Sequence, residues 1–171
     1  MIVYGRITAE NFSLHSLDGF IFLQEVRACW RRIDGRWVLR PAAYTDDAGP
    51  DAPTMLDALQ AGNPAFGAWA EGALVGFALL DRRPFGSMAQ YIDLAEFYVS
   101  RPCRRQGIGA KLFAMACEGA RELGASKLYI SAHSAQESIA AYRKFGCVEA
   151  KEINRALAEK EPCDVQMEFQ L

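Results

Sequence analysis

Glycine and arginine are concentrated in one short segment, RRQGIGA at residues 104–110, which lies between a predicted strand and a predicted helix. Glycine lets the main chain approach a ligand closely, and the first turn of a helix offers unpaired N–H groups at the positive end of its dipole. Residues 100–111 contain no acidic residue and four basic ones, Arg101, Arg104, Arg105 and Lys111. This pattern predicts a phosphate group held by main-chain amides and assisted by arginine.

Three kinds of glycine-rich phosphate loop compete for this segment. The P-loop is excluded, because it needs GxxxxGK followed by Ser or Thr. The dinucleotide-binding pattern GxGxxG fits Gly107 and Gly109 but meets Leu112 at its third position, and it belongs near the first strand of a domain. The third pattern, (Gln/Arg)-x-x-Gly-x-(Gly/Ala), is that of GNAT acetyltransferases, and Arg104, Gly107 and Gly109 match it. A glycine-rich turn before a surface helix stays open as the alternative.

A second segment, SIAAYRKFGC at residues 138–147, resembles the other GNAT signature, a helix of the form AIxxYxxxGF. It follows the first segment by one predicted helix and one predicted strand, as it does in that family. Together the two segments make residues 91–148 resemble a GNAT enzyme, and the preceding hairpins fit its N-terminal half more loosely. Two positions depart from the pattern. Ser134 or Ala135 stands where the family often has Asn, and Cys147 replaces the Phe after Gly146.

The resemblance implies an α+β fold with a mixed, mostly antiparallel sheet flanked by helices, in one domain over residues 1–171. It implies direct acetyl transfer from acetyl-CoA to an amine in a ternary complex. The pyrophosphate lies on the loop amides, and the pantetheine arm follows a bulged strand that splays from the next one. Amides near the end of that strand hold the thioester carbonyl. The implied acetyl-CoA contacts are Phe97, Tyr98, Val99, Arg104, Arg105, Gln106, Gly107, Ile108, Gly109, Ala110, Ser138 and Tyr142.

Acetyl transfer to an amine needs a base and an acid. A free alkylamine has a pKa of about 10, so a protein group or a water must take a proton. Glu96 is the leading base and Asp93 the second; three residues apart on a regular strand they face opposite ways, unless a bulge alters the parity. A salt bridge at the strand end is the alternative for each. Tyr142 matches the tyrosine that protonates the departing thiolate in the family. The alternative is that Tyr142 is a core residue without a catalytic role.

The histidines and cysteines form no pattern that predicts a metal site or a disulfide framework. For His133, between a strand and a helix, a capping or packing role competes with a role as base. Two histidines without paired ligands predict no metal site. Five cysteines without a CxxC pair, no signal-peptide pattern and no apolar run of about 20 residues predict a cytoplasmic protein. A net charge of −2 gives no reason to expect nucleic acid or a membrane as partner.

The acceptor amine is not identified by the sequence. Residues 41–71 hold five acidic residues and no Lys or Arg, which predicts either an acidic rim for a cationic amine or a solvated surface. The leading hypothesis is an N-acetyltransferase acting on a primary amine of a small molecule or a protein. A transferase using another acyl-CoA and a non-catalytic CoA-binding sensor are the alternatives. A homodimer is expected from the resemblance alone.

Hydrophobic periodicity and turn residues predict the elements that position these groups. Strands are predicted at 1–8, 65–71, 74–80, 91–99, 127–132 and 165–171, with a hairpin at 24–40 that turns at Asp34-Gly35. Helices are predicted after an N-cap at Thr54, over residues 108–123 before Gly124, and from a Ser134–Glu137 capping box to Gly146. Residues 10–20 are ambiguous, with a short helix as one interpretation. The order of elements predicts a mixed layered structure.

Overall fold

The computed structural model describes all 171 residues, in nine strands, four α-helices and a short 3₁₀ turn at Arg101–Cys103. The strands are β1 (Ile2–Ile7), β2 (Gln24–Ile33), β3 (Arg36–Asp46), β4 (Ala65–Ala70), β5 (Ala73–Phe85), β6 (Tyr91–Val99), β7 (Lys127–Ala132), β8 (Val148–Glu149) and β9 (Val165–Gln170). The helices are α1 (Ala52–Gln60), α2 (Ile108–Glu122), α3 (Gln136–Phe145) and α4 (Arg155–Lys160). None of them is both long enough and apolar enough to cross a membrane.

Seven strands form one sheet in the order β1-β4-β5-β6-β7-β9-β8, and β2 and β3 form a separate hairpin. Only the β6–β7 pair is parallel, because the chain crosses over through α2 between these strands. All other neighbours are antiparallel. The prediction of a mixed, mostly antiparallel sheet flanked by helices is confirmed.

Two tight hairpins build the N-terminal half. The β2–β3 hairpin turns at Asp34 and Gly35, with φ of 48° and 75°, and the β4–β5 hairpin turns at Glu71 and Gly72, with φ of 49° and 81°. Two successive residues in the left-handed region match the twist of the flanking strands, and glycine reaches that region without steric cost. Both hairpins were predicted, although β3 and β5 run further than expected because their pairing continues.

Helix α2 packs tightly across the sheet and thereby fixes the loop that precedes it. Leu112, Ala116 and Ala120 of this helix have no exposed surface. Gly76 of β5 lies directly beneath, where an added Cβ would come within 2.9 Å of Leu112 Cδ1. The absence of a side chain at this position lets the helix lie close to the sheet and holds its N-terminus beside the end of β6.

A β-bulge at Ala95 changes which side chains of β6 face the helices. In the β5–β6 register Ala95 has no partner, because Leu94 and Glu96 lie opposite consecutive residues of β5. Leu94 before the bulge and Phe97 after it therefore pack against the same helix-covered core. Asp93 and Glu96 lie on the other face.

Strands β6 and β7 separate beyond the bulge. Their parallel pairing runs only from Tyr91 opposite Lys127 to Asp93 opposite Tyr129, although both strands continue past it. The separation leaves one edge of β6 without a neighbouring strand and opens the V-shaped cleft that the family resemblance predicts.

Residues 10–20, which the sequence left ambiguous, form successive turns, since polar side chains such as Asn11 bond to nearby main-chain groups. The prediction of Thr54 as a helix N-cap was wrong, because α1 begins at Ala52. Its N-cap is Asp51, whose carboxylate accepts the Thr54 N–H at 2.7 Å.

The predicted capping box at α3 was also wrong. Ala135 is the N-cap, and Ser134 instead accepts a hydrogen bond from Arg31 Nη1 at 2.6 Å, which ties the β2–β3 hairpin to the main body. Strand β8 and helix α4 were not predicted, because two and six residues are too short for a periodic pattern.

Candidate active site

A cleft of about 830 Å³ occupies the space between the separating strands β6 and β7. At one end, which we call the amide end, it is lined by Val99, Arg105, Gly109, Ser138 and Tyr142. At the other, which we call the acidic end, it is lined by carboxylates from β3, β6 and the segment after α4, namely Asp46, Asp93, Glu96, Glu161 and Asp164.

The loop that borders the amide end has six consecutive main-chain N–H groups, those of residues 105–110, that donate to no other part of the protein, and of these residues Arg105 and Gly109 line the cleft. Two residues of this loop have left-handed backbone conformations, Arg105 with φ of 64° and Gly107 with φ of 82°. The last three amides belong to the first turn of α2, where no intrahelical acceptor exists. Unpaired amides at a helix N-terminus form a strong binding site for an anion.

Arg104 lines the cleft and is also hydrogen-bonded within the protein. Its guanidinium donates to three main-chain carbonyls, to Val99 O at 2.9 Å, Leu23 O at 3.1 Å and Phe22 O at 3.0 Å. These bonds tie the segment before β2 to the end of β6, so the side chain positions the loop. The neighbouring Arg105 is exposed and makes no hydrogen bond, which leaves its charge available to a ligand.

The other loop side chains do not converge on the cleft. Gln106 is exposed and its amide donates to Pro102 O at 3.3 Å. Ile108 is buried in the core at 1% exposure. An added Cβ at Gly109 would lie 3.7 Å from both Phe97 and Val99, which shows how close the loop lies to β6. What residues 106–110 offer a ligand is therefore their main chain.

The open edge of β6 presents main-chain groups to the cleft. At the end of the β5–β6 ladder, Ser100 N–H donates to Val75 O at 2.9 Å. Because hydrogen-bonding direction alternates along an antiparallel strand, the N–H groups of Val99 and Phe97 point away from β5 and into the cleft. The side chain of Tyr98 lies on the face of the sheet opposite to that of Phe97, where its ring packs against Phe22 and Phe77.

Two residues of α3 border the amide end. Ser138 Oγ accepts a hydrogen bond from Gln24 Nε2 at 3.1 Å. The ring of Tyr142 packs with its centroid 6.0 Å from that of Phe97 and 6.4 Å from that of Phe145, and its hydroxyl makes no hydrogen bond within the protein. Burial raises the pKa of Tyr142, so the phenol keeps its proton at neutral pH.

Glu96 and Asp93 lie at the acidic end with altered ionisation. Burial raises the pKa of Glu96 to about 7. Burial also raises the pKa of Asp93 to about 7, with added repulsion from Asp81 and Glu96, and the charge of Lys160 opposes both shifts. Asp93 is only 8% exposed, and its Oδ1 atom has no hydrogen-bond partner. Carboxyl groups with a pKa near the working pH are suited to accept and return protons.

The acidic rim expected from residues 41–71 is largely absent, because only Asp46 of its five carboxylates lines the cleft. Asp51 caps α1, and Glu71 lies in the β4–β5 turn. Glu161 and Asp164 take their place, and sequence reasoning missed both. No local signal relates the residues after α4 to β6, since only the pairing of β9 beside β7 brings them there.

Asp164 is held in place by hydrogen bonds that begin on β7. Ser131 Oγ donates to Asp164 Oδ2 at 3.0 Å and accepts from Gln166 Nε2 at 2.9 Å. The Tyr129 hydroxyl donates to Gln166 Oε1 at 2.7 Å and accepts the N–H of Asn154, the N-cap of α4, at 3.0 Å. The sheet thus positions both α4 and Asp164.

His133 borders the acidic end with a defined tautomer. Its Nδ1 accepts the N–H of Ala135 at 3.2 Å, so a neutral ring carries its hydrogen on Nε2. Nε2 lies 3.4 Å from both Asp46 Oδ2 and the Tyr44 hydroxyl. This contact is made to the N-cap residue of α3 and is local, whereas Nε2 faces the acidic end.

Comparison with known proteins relates this geometry to one family. The model of the acetyltransferase (GNAT) family matches residues 26–147, which include the loop, the open edge of β6 and α3. No curated protein matches the chain.

Solved structures of similar fold extend over the whole chain. Nourseothricin acetyltransferase is 19% identical with a TM-score of 0.72, covering 99% of this chain and 98% of its own. A candidate streptothricin acetyltransferase from Bacillus anthracis strain Ames, in complex with acetyl-CoA, is 12% identical with a TM-score of 0.71, covering 100% and 99%. IAA acetyltransferase from Bacillus cereus is 17% identical with a TM-score of 0.61, covering 100% of both chains.

Proposed function

The chain belongs to the GNAT family of acetyltransferases, and from this premise we propose that it transfers the acetyl group of acetyl-CoA to a primary amine of a small molecule. The observation that carries the proposal is a cleft bordered at one end by a loop with six unpaired amides and lined at the other by carboxyl groups of raised pKa. Two similar structures of full length are named for nourseothricin and streptothricin, which favours a small-molecule acceptor over a protein.

The amide end suits the pyrophosphate of acetyl-CoA. Residues 105–110 offer main-chain donors on a loop that the three bonds of Arg104 hold in place. The N-terminus of α2 adds the positive end of its dipole, and Arg105 adds a full positive charge at the rim. Phosphate oxygens accept from several such donors at once, so the loop can bind the anion through its main chain alone.

The open edge of β6 suits the pantetheine arm and the thioester. The N–H groups of Phe97 and Val99 face the cleft without a strand partner and would donate to amide and thioester carbonyls lying alongside. A donor fixed at the thioester oxygen would stabilise the negative charge that develops there during attack, because it needs no reorientation. Ser138, across the cleft on α3, lines the opposite side.

The acidic end suits removal of a proton from the acceptor. An ammonium group must lose one proton before its nitrogen can attack the thioester carbonyl, and it loses a second as the amide bond forms and the C–S bond breaks. Glu96 is placed to take the first of these protons, directly or through a water. Its pKa of about 7 leaves it partly ionised at neutral pH.

Tyr142 is placed to return a proton to the leaving group. Its hydroxyl has no protein partner and its raised pKa keeps it protonated, so it can donate to the CoA thiolate. The net reaction converts the ammonium and acetyl-CoA into an acetamide, CoA thiol and one proton released to solvent. The presence of both an acid and a base favours an enzyme over a CoA-binding sensor.

Calorimetric titration with acetyl-CoA, followed by a thiol-release assay against a panel of amines, tests the proposal. Binding together with amine-dependent thiol release supports it. Binding without release with any amine points to the non-catalytic CoA-binding module, and release only with a longer acyl-CoA points to another acyl donor. A folded protein that binds no acyl-CoA contradicts the proposal.

A further inference from the structure

We propose that the acceptor carries two cationic groups, of which one reacts beside Glu96 while the other is held between Asp93 and Asp164. The inference rests on the proposed function, because it concerns the acceptor bound in the same cleft. It narrows the substrate class from amines in general to compounds with two ammonium groups.

Asp93, Glu96 and Asp164 line the cleft where the strands part. Asp81, the register partner of Asp93 on β5, lies beside them outside the cleft lining and is paired with Arg83. Asp93 and Glu96 share one face of β6 because of the bulge between them.

On β7, Tyr129 is the register partner of Asp93, and Ser131 shares its face because side chains alternate along a strand. Ser131 holds Asp164 at 3.0 Å, so Asp93 and Asp164 flank the apex of the cleft from its two arms.

One of these carboxylates lacks the partner that its burial requires. Asp93 is only 8% exposed and lines the cleft, yet Oδ1 accepts no hydrogen bond from the protein. Leaving a buried acceptor unpaired is unfavourable, and native structures rarely do so. An ammonium group has three donors and could serve Asp93 and Asp164 together.

The cations of the protein do not neutralise the acidic end. Lys160 is exposed, and although its charge lowers the pKa of Asp93 and of Glu96, it forms no ion pair with either. His133 approaches Asp46 instead. A substrate with a single ammonium group beside Glu96 would leave the other two carboxylates at the apex without a counterion, whereas a second cationic group would supply one.

The experiment compares two ligands of equal length that differ at one end. Calorimetry on the complex with CoA measures the affinity of 1,4-diaminobutane and of 4-amino-1-butanol, in which a neutral hydroxyl replaces the second ammonium. We expect the diamine to bind at least about tenfold more tightly, since charge pairs in a partly buried site contribute this much or more.

Two variants locate the second cationic group. Asp164→Asn and Asp93→Asn should each reduce the preference for the diamine to less than about threefold, because each removes one charge at the apex. Asp47→Asn removes an exposed carboxylate outside the cleft and should leave the preference unchanged. The ratio of two affinities is insensitive to a general loss of stability.

Equal affinity for the two ligands in the wild type overturns the inference, as does a preference that both variants retain. Failure of the diamine to bind while CoA binds also overturns it. Failure of the wild type to bind CoA would contradict the proposed function itself, so the two failures are distinguishable.

Discussion

Asp93 and Glu96 lie on the same face of β6 although three residues separate their positions, because Ala95 is an unpaired bulge residue between them. On a regular strand the two side chains would point to opposite faces. The charge of Glu96 helps to raise the pKa of Asp93, so the protonation of one depends on the other. Burial is the largest cause of the raised pKa of Asp93, followed by the charges of Asp81 and Glu96.

The pH dependence of acetylation should report Glu96. A base acts only when deprotonated, so kcat/KM should rise with pH through a value near its pKa of about 7 and level off above it. In Glu96→Gln this rise should disappear, and kcat/KM should fall by about 10²–10⁴, the usual contribution of a general base. Glu10→Gln, at an exposed carboxylate that does not line the cleft, is the control. A Glu96→Gln enzyme that keeps the rise would exclude Glu96 as the base.

The ionisation of Asp93 should also be visible in stability. Its folded pKa lies above the unfolded one, so the unfolded state binds fewer protons, and the free energy of unfolding should fall as pH rises from about 4 to about 7. Moving this pKa from 3.8 to about 7 corresponds to about 4 kcal/mol as an upper bound. Asp93→Asn should therefore be more stable than wild type at pH 8 by a few kcal/mol, and about equal near pH 4.

Urea denaturation of wild type and Asp93→Asn at the two pH values measures this difference. Asp57→Asn, on the outer side of α1, should follow the wild type throughout. A stability difference that is the same at both pH values would show that the substitution acts through packing rather than through ionisation.

The glycine loop offers a matched pair of substitutions. Gly107 and Gly124 both have φ of 82° and open space around an added Cβ, but they lie at opposite ends of α2. Gly107→Glu should raise the Kd for acetyl-CoA at least about tenfold, because a negative charge enters the anion site. Gly124→Glu carries the same backbone strain and should bind normally. Calorimetry of both variants with acetyl-CoA decides whether a weaker affinity comes from the position of the new charge or from backbone strain.

Tyr142→Phe should separate catalysis from binding. The ring packing on Phe97 and Phe145 is kept and no protein hydrogen bond is lost, so stability and the KM for acetyl-CoA should change little. kcat should fall by about 10²-fold, at the lower end of the range for a lost general acid. Steady-state kinetics measures both parameters, and an unchanged kcat would assign Tyr142 to packing alone.

The two neighbouring arginines should respond in opposite ways. Arg104→Lys replaces the three nitrogens that reach three separate carbonyls by a single nitrogen and should destabilise the fold by about 1–3 kcal/mol. Arg105→Ala removes an exposed side chain without hydrogen bonds and should change stability by less than about 0.5 kcal/mol, while weakening acetyl-CoA binding. Thermal denaturation and calorimetry on both variants test the contrast. Equal effects on stability would contradict it.

The parts of the site that lie close together in sequence could be predicted, and the parts assembled over long distances could not. Residues 104–110 and Tyr142 stand out because a loop and a helix carry their own local patterns. The role of Arg104 depends on Phe22 and Leu23, and Asp164 reaches the cleft only through β9. The cytoplasmic location, the single domain and the homodimer remain predictions.

The strands and most helices followed from periodicity, whereas details set by single contacts did not. The cap at Asp51 and the absence of one at Ser134 were decided by competing hydrogen-bond partners. Asp93 and Glu96 point to the same face of the sheet because Ala95 between them has no partner on β5, and the position of that bulge is not marked in the residues of β6. Such features arise from pairing between strands, which a single strand does not encode.

The two ends of the cleft receive residues from different segments of the chain. The loop, the open edge of β6 and α3 lie within residues 26–147, whereas Leu157, Lys160, Glu161 and Asp164 follow that region. The later stretch is anchored to the sheet through Asn154 and Ser131 and contributes nothing to the loop. If the proposed function holds, exchanging residues 155–164 is expected to change the acceptor preference without altering the loop that precedes α2.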